Sequence, residues 1–206
     1  MIRKLSLLLL LVGLYACKSD PYQVDLDSAK HHVSYQNLDS SFRYAHVDEQ
    51  RRLIKALLVS DFDLSQFCFP YALQVSTQSD SAFVNGLQRT YSHPFNKQVC
   101  SALDKRYKWR QQTFVQIEAG LKRLAVLAPK APVAKSVYFT YTQFAASAYA
   151  SSKAIVLGQE RYLGSNHPLT SSLPAQQFYD WIKEGMEPQY ASSDALVIWL
   201  STNVLK

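Results

Sequence analysis

Residues 96–127, NKQVCSALDKRYKWRQQTFVQIEAGLKRLAVL, are the longest periodic stretch of the chain, with Val99, Leu103, Phe114, Ile117, Leu121, Leu124 and Leu127 close to helical spacing and no internal proline. They predict one long central helix, ended by Pro129 and Pro132. At 1.5 Å per residue such a helix is about 45 Å long, so it crosses the whole domain or bends at Gly120, where glycine costs about 1 kcal/mol relative to alanine. On the C-terminal side the period changes. Residues 137–144, VYFTYTQF, and 153–158, KAIVLG, are β-branched and aromatic, and AASAYASS between them reads as a small-residue turn, so the two segments predict a β-hairpin. A hairpin alone is marginal and must lie on the helices. Residues 174–183, PAQQFYDWIK, and 194–205, DALVIWLSTNVL, predict two further helices, the last burying Val197, Ile198, Leu200 and Val204.

Working back from the central run, residues 79–91 predict a short helix capped at Ser79 and stopped by His93-Pro94. Residues 48–59, DEQRRLIKALLV, predict another, with Asp48 and Glu49 at its positive end and Leu53, Ala56 and Leu57 on one face. Residues 37–42, NLDSSF, resemble a capped helix start. Between these helices lie Phe62, Phe67, Phe69 and Tyr71 around Pro70, either core packing in a bend or an aromatic ligand slot. The expected class is therefore α+β and mostly helical, a single globular domain at 35–206.

The first 17 residues, MIRKLSLLLLLVGLYAC, have a basic start, an apolar run of about 10 residues and a small residue before Cys17. Spanning a bilayer takes about 20 residues, so the run is a secretory signal and not an anchor. Leu14-Tyr15-Ala16-Cys17 resembles the lipobox of bacterial lipoproteins, which implies cleavage before Cys17 and acylation there. Two or more acyl chains make anchoring lasting. The expected organisation is a lipoprotein signal peptide at 1–16, a lipidated tether at 17–34 and the domain beyond it. Lys18 stands where inner-membrane retention favours Asp, pointing to the outer membrane, facing the periplasm.

Removing residues 1–16 leaves 190 of 206, enough for one core. The formal charge of +6 includes Arg3 and Lys4, so the mature side chains carry +4. Basic and aromatic residues interleave at 105–110, but inside a helical pattern in an exported protein they read as a solvated face, and no nucleic-acid partner is expected. Export places Cys68 and Cys100 in an oxidising compartment, where they suit a disulfide or, in their apolar contexts, two buried thiols.

Familiar catalytic patterns are missing. No G-x-S-x-G elbow and no phosphate-binding glycine loop is present. The histidines, at 31, 32, 46, 93 and 167, never stand four apart, so no His-Glu-x-x-His zinc helix exists, and no metal or other cofactor is expected. An atypical hydrolase site near Glu160 and His167 is the enzymatic alternative.

The ordered series made by the strand at 137–144, Ile155-Val156-Leu157-Gly158, Glu160, Tyr162-Leu163-Gly164, Pro168, Leu173-Pro174 and Met186-Glu187-Pro188-Gln189-Tyr190 resembles the gliding-motility lipoprotein family GldB of Bacteroidetes. Glu160 replaces the family's Asp, and the family extends past Lys206, so the chain reads as a short or truncated relative. The resemblance implies a non-enzymatic, lipid-anchored envelope protein of gliding motility or its secretion apparatus, with unidentified envelope protein partners. The family in turn resembles zinc-peptidase scaffolds, which implies a peptidase-like scaffold lacking the zinc helix. Gly158, Glu160, Tyr162, Leu163, Gly164 and Pro174 are the family-motif positions.

Overall fold

The computed structural model describes residues 24–26, 29 and 31–205. The leader, Cys17 and residues 18–23 of the expected tether lie outside the described residues. The chain adopts the mostly helical α+β class, with helices on both faces of a small four-stranded sheet.

Ordered packing is already present at Val33. Val33 is buried, and β1 (Ser34–Asn37) pairs in parallel with β2 (Ser136–Thr140), Ser34 opposite Ser136. The segment SYQN lacks β-branched residues, so it is a strand by virtue of its neighbour and not its own propensity. Asn37 then caps α1 (Leu38–Arg43), its side chain accepting from Ser40 N. Next come α2 (Val47–Ser60), with Asp48 and Glu49 in its first turn, and α3 (Phe62–Gln66), capped by Asp61. A π-helical turn at Phe67–Leu73 accommodates Pro70, whose missing N–H an α-helix would need. Then follow α4 (Asp80–Ser92), capped by Ser79 as expected, and α5 (Pro94–Asp104).

The run at 96–127 is not one helix. It divides at Lys105-Arg106, between α5 and α6 (Tyr107–Leu127). Two arginines stabilise the break: buried Arg110 donates from Nη1 to Leu103 O at 2.8 Å, and Arg106 donates from Nη1 to Tyr162 O. Leu103 O accepts from Arg106 N at 3.0 Å as well as from Arg110, and Arg106 ties the break to the turn that holds Tyr162. Gly120 does not bend α6. It admits a neighbour, because a Cβ there would lie 2.4 Å from Leu196 Cδ1 on α9 (Ala191–Asn203).

The expected hairpin is also rearranged. β2 runs parallel to β4 (Ala154–Gly158), and β3 (Ala148–Ala150), inside the supposed turn, is the antiparallel partner of β4. Two parallel strands need a return leg, and Ala148-Tyr149-Ala150 supplies it. The tight turn is Ser151-Ser152-Lys153, where Ser151 Oγ accepts from Lys153 N at 3.1 Å and Ala154 N at 3.0 Å. The sheet order is β1-β2-β4-β3.

Alternation along the strands divides the core. Val137, Phe139, Ile155 and Leu157 face α6 and α9 with Ile117, Leu121 and Trp199. On the other face, Ala154 and Val156 belong with Phe42, Phe69, Phe83, Leu87 and Leu103 from α1 to α5. Every residue of β4 is buried, as a central strand covered on both faces must be. In α9 the buried residues are Ala191, Ala195 and Trp199, whereas Val197, expected inside, is 61% exposed. That helix is apolar all round, so periodicity could not choose its face. The expected helix at 174–183 shortens to α8 (Asp180–Glu184), after α7 (Pro168–Ser171) and the turns at 174–178. Cys68 and Cys100 are buried free thiols in the larger core, without the disulfide weighed from the sequence.

Candidate functional site: a cleft at the C-terminal edge of the parallel strands

The three parallel strands end together, and the segments that leave them carry the family-motif residues. Thr142, Gln143 and Phe144 follow β2, and Gln143 and Phe144 adopt left-handed backbone, with φ of 53° and 61°. Such a bend turns successive amides toward one point, a concavity for an anion. Glu160 fills it. Its Oε1 accepts from Thr142 N at 2.9 Å, Phe144 N at 2.8 Å and Thr142 Oγ1 at 2.5 Å. The residue is fully buried, and its Oε2 has no hydrogen-bond partner. Burial pushes the carboxyl up to about 7, the three donors opposing the shift without cancelling it.

Around this anchor each motif residue has a separate task. Gly158 is where the 142–146 loop crosses β4: a Cβ there would lie 2.2 Å from Ala146 O and 2.7 Å from Thr142 Oγ1. Tyr162, fully buried, donates from its hydroxyl to Asp194 Oδ2 at 2.9 Å, fixing the 3-10 turn Gln159–Tyr162 to α9. Leu163 packs against the larger core, and Gly164 N donates to Met186 O at 2.9 Å. Pro174 O accepts from Phe178 N at 2.9 Å and Gln177 N at 3.1 Å, closing the turn before α8. Gln159, also fully buried, joins Asn37 at the end of β1 to Arg110 on α6.

Above the anchored loop opens a cleft of about 580 Å³, with Tyr141, Gln143 and Phe144 on one wall, Arg89 and Asn96 on another and Pro174 on a third. Tyr141 donates to Asn96 Oδ1 at 2.8 Å, and Asn96 Nδ2 donates to Thr90 O at 2.8 Å. Burial pushes the Tyr141 phenol well above its ordinary value, so it works as a neutral donor. Gln143 Nε2 donates to Leu73 O at 3.0 Å, tying the left-handed loop to the π-helical turn. The lining contains a guanidinium, an imidazole, amides and aromatic rings but no carboxylate. Such a lining offers donors and rings that suit a polar or anionic chain.

Of the residues singled out in the sequence, Glu160 and His167 each have partners of their own. Glu160 Oε1 accepts from the loop amides, and His167 caps α7, its Nδ1 accepting from Leu169 N at 3.2 Å. Burial and Arg106 lower the imidazole's basicity. Sequence reasoning missed Tyr141, Asn96 and Gln143, which meet only through the fold. The one local signal was a lone acid, Glu160, two residues after the apolar strand 154–158.

A second recess, on the larger-core side, is aromatic. Phe67 stacks on Tyr149 with centroids 4.1 Å apart and on Tyr71 at 5.6 Å, and with Asp63, Gln66 and Ala146 these rings line a groove of about 500 Å³. Among the described residues no helix is long and apolar enough to cross a membrane, and no three His, Cys, Asp or Glu gather where a metal ion could be held.

No curated protein and no solved structure matches the chain. The model of one family, described as gliding motility protein GldB, matches residues 19–206. With that match spanning residues 19–206, the chain belongs to the gliding motility protein GldB family.

Proposed function

We propose that the protein is a lipid-anchored, non-enzymatic component of the cell envelope that serves gliding motility or its associated secretion apparatus. Cys17 is the acylated residue, and the outer membrane, facing the periplasm, is its address. The observation that carries this reading is the family match over 19–206, beginning two residues beyond a lipobox cysteine. The commitment of Glu160 to holding a loop supports a binding role over bond cleavage. The cleft beside Tyr141 and Arg89 is then the contact site for an envelope protein partner.

The test is genetic. A deletion strain is expected to lose colony spreading, to regain it with the wild-type chain, and to regain little with Cys17→Ala. Normal gliding and secretion in the deletion strain would remove the role.

The exposed aromatic stack favours a second reading, an envelope ligand-binding lipoprotein, because Tyr71 is 63% exposed beside an open groove instead of buried in the core. It predicts that Phe67→Ala abolishes ligand-dependent fluorescence change while leaving motility intact.

A further inference from the structure

The parallel strands give the molecule two unlike ends, about 17 Å apart for five residues at 3.3 Å each. The cleft lies at the C-terminal edge. The opposite edge is where the chain enters from the tether. His31 Nε2 lies 2.9 Å from Ala134 O, and Ser34 N donates to Lys135 O at 2.9 Å, so the chain at 31–34 runs alongside the α6–β2 connection.

That edge is basic. From residue 119 to residue 159 the chain contains Lys122, Arg123, Lys130, Lys135 and Lys153 and no Asp or Glu. Lys135 and Lys153 immediately precede β2 and β4 and are joined by a bond from Lys135 N to Lys153 O at 2.8 Å; Lys130 lies in the α6–β2 connection. All three are exposed. Apolar side chains stand among them. Leu127 at the end of α6 is 55% exposed and Leu205 is 73% exposed. Val59, beside the Ser60 carbonyl that accepts from Lys153 Nζ, is 88% exposed. The end of α9 is tied to the same edge, Asn203 Nδ2 donating to Ser151 O at 3.1 Å and Trp199 Nε1 to Pro132 O at 3.0 Å.

We infer that this lysine edge, Lys130, Lys135 and Lys153 with Leu127, Val59 and Leu205, is the face that rests on an anionic lipid surface. The inference rests on the proposed anchor at Cys17. Lipid is favoured as the occupant because the tether joins the domain at this edge, and because the combination is the one that binds bilayers: ammonium groups for lipid phosphates and apolar side chains for the acyl boundary. The fold then points the cleft away from the membrane, open to a partner.

The test uses the full acylated protein in phosphatidylethanolamine vesicles containing phosphatidylglycerol and a doxyl-labelled quencher lipid. A fluorophore is placed on Ser152→Cys at the lysine edge or on Gln177→Cys at the cleft rim, while the buried Cys68 and Cys100 resist labelling. Quenching at 152 is expected to exceed that at 177 several-fold. Lys130→Gln, Lys135→Gln and Lys153→Gln together should erase the difference while the protein still floats with the vesicles. Each lysine contributes about 1 kcal/mol at such a surface, so the edge's occupancy should fall on the order of 100-fold. Equal quenching at both positions in vesicle-bound protein would leave the edge to an acidic protein partner and overturn the inference. Protein that does not float at all would remove the anchor, and the inference with it.

Discussion

Glu160 places three donors on one carboxylate oxygen and none on the other, all out of water. Its pKa is about 7 in the fold and near 4.5 in the unfolded chain, so between these values the folded state holds the extra proton. The stabilisation is fully present below about pH 4.5 and is lost as pH rises through about 7, a swing on the order of 3 kcal/mol. Urea unfolding across pH 4.5 to 8 should show this decline, and Glu160→Gln should flatten it. Glu160→Ala strands two amides and a hydroxyl and should cost several kcal/mol at any pH, since each unpaired buried group costs about 1–3. Gly158→Ala is expected to destabilise by about 1–3 kcal/mol, because the nearest obstacle is the backbone oxygen of Ala146, which cannot swing aside. A thermal midpoint equal to wild type would show that the loop crosses β4 less closely.

At the scale of elements, α1 and α5 are clasped by Arg43. It reaches Asp39 Oδ2 at 2.9 Å within its own helix and Asp104 Oδ1 at 2.6 Å across the interface. Asp39 is almost fully buried, so Arg43→Met should cost about 3–5 kcal/mol by leaving its charge unmatched. Arg43→Lys should recover only part, since one ammonium cannot bridge both carboxylates as a guanidinium does. Denaturant midpoints of the two variants check both statements. The same scale separates what the sequence disclosed from what it hid. α2 and the start of α4 were legible because acids, a serine cap and apolar spacing agree locally. The break in 96–127 was hidden because Arg110 and Arg106 make it, one reaching back seven residues and the other bonding Tyr162 far along the chain. Strand direction was hidden for a similar reason: β2 and β4 look alike as text, and only β3 between them reverses the path. Of the site, Glu160, Tyr162 and Gly164 were legible through the family resemblance. Tyr141 and Asn96, 45 residues apart, become neighbours only when α5 packs beside the sheet.

For the molecule as a whole, the chain enters the sheet at one edge of the parallel strands and the cleft opens at the other; under the proposed reading the first edge faces the membrane and the second a partner. That reading rests on the lipobox-like residues 14–17 and on the family match over residues 19–206. The measurement that tests this most directly is the mass of the N-terminal peptide of the protein isolated from its own membrane. The expected peptide begins at Cys17 and carries a diacylglycerol thioether and an acylated amino group. A peptide with an unmodified Cys17, or one still joined to residues 1–16, would contradict it.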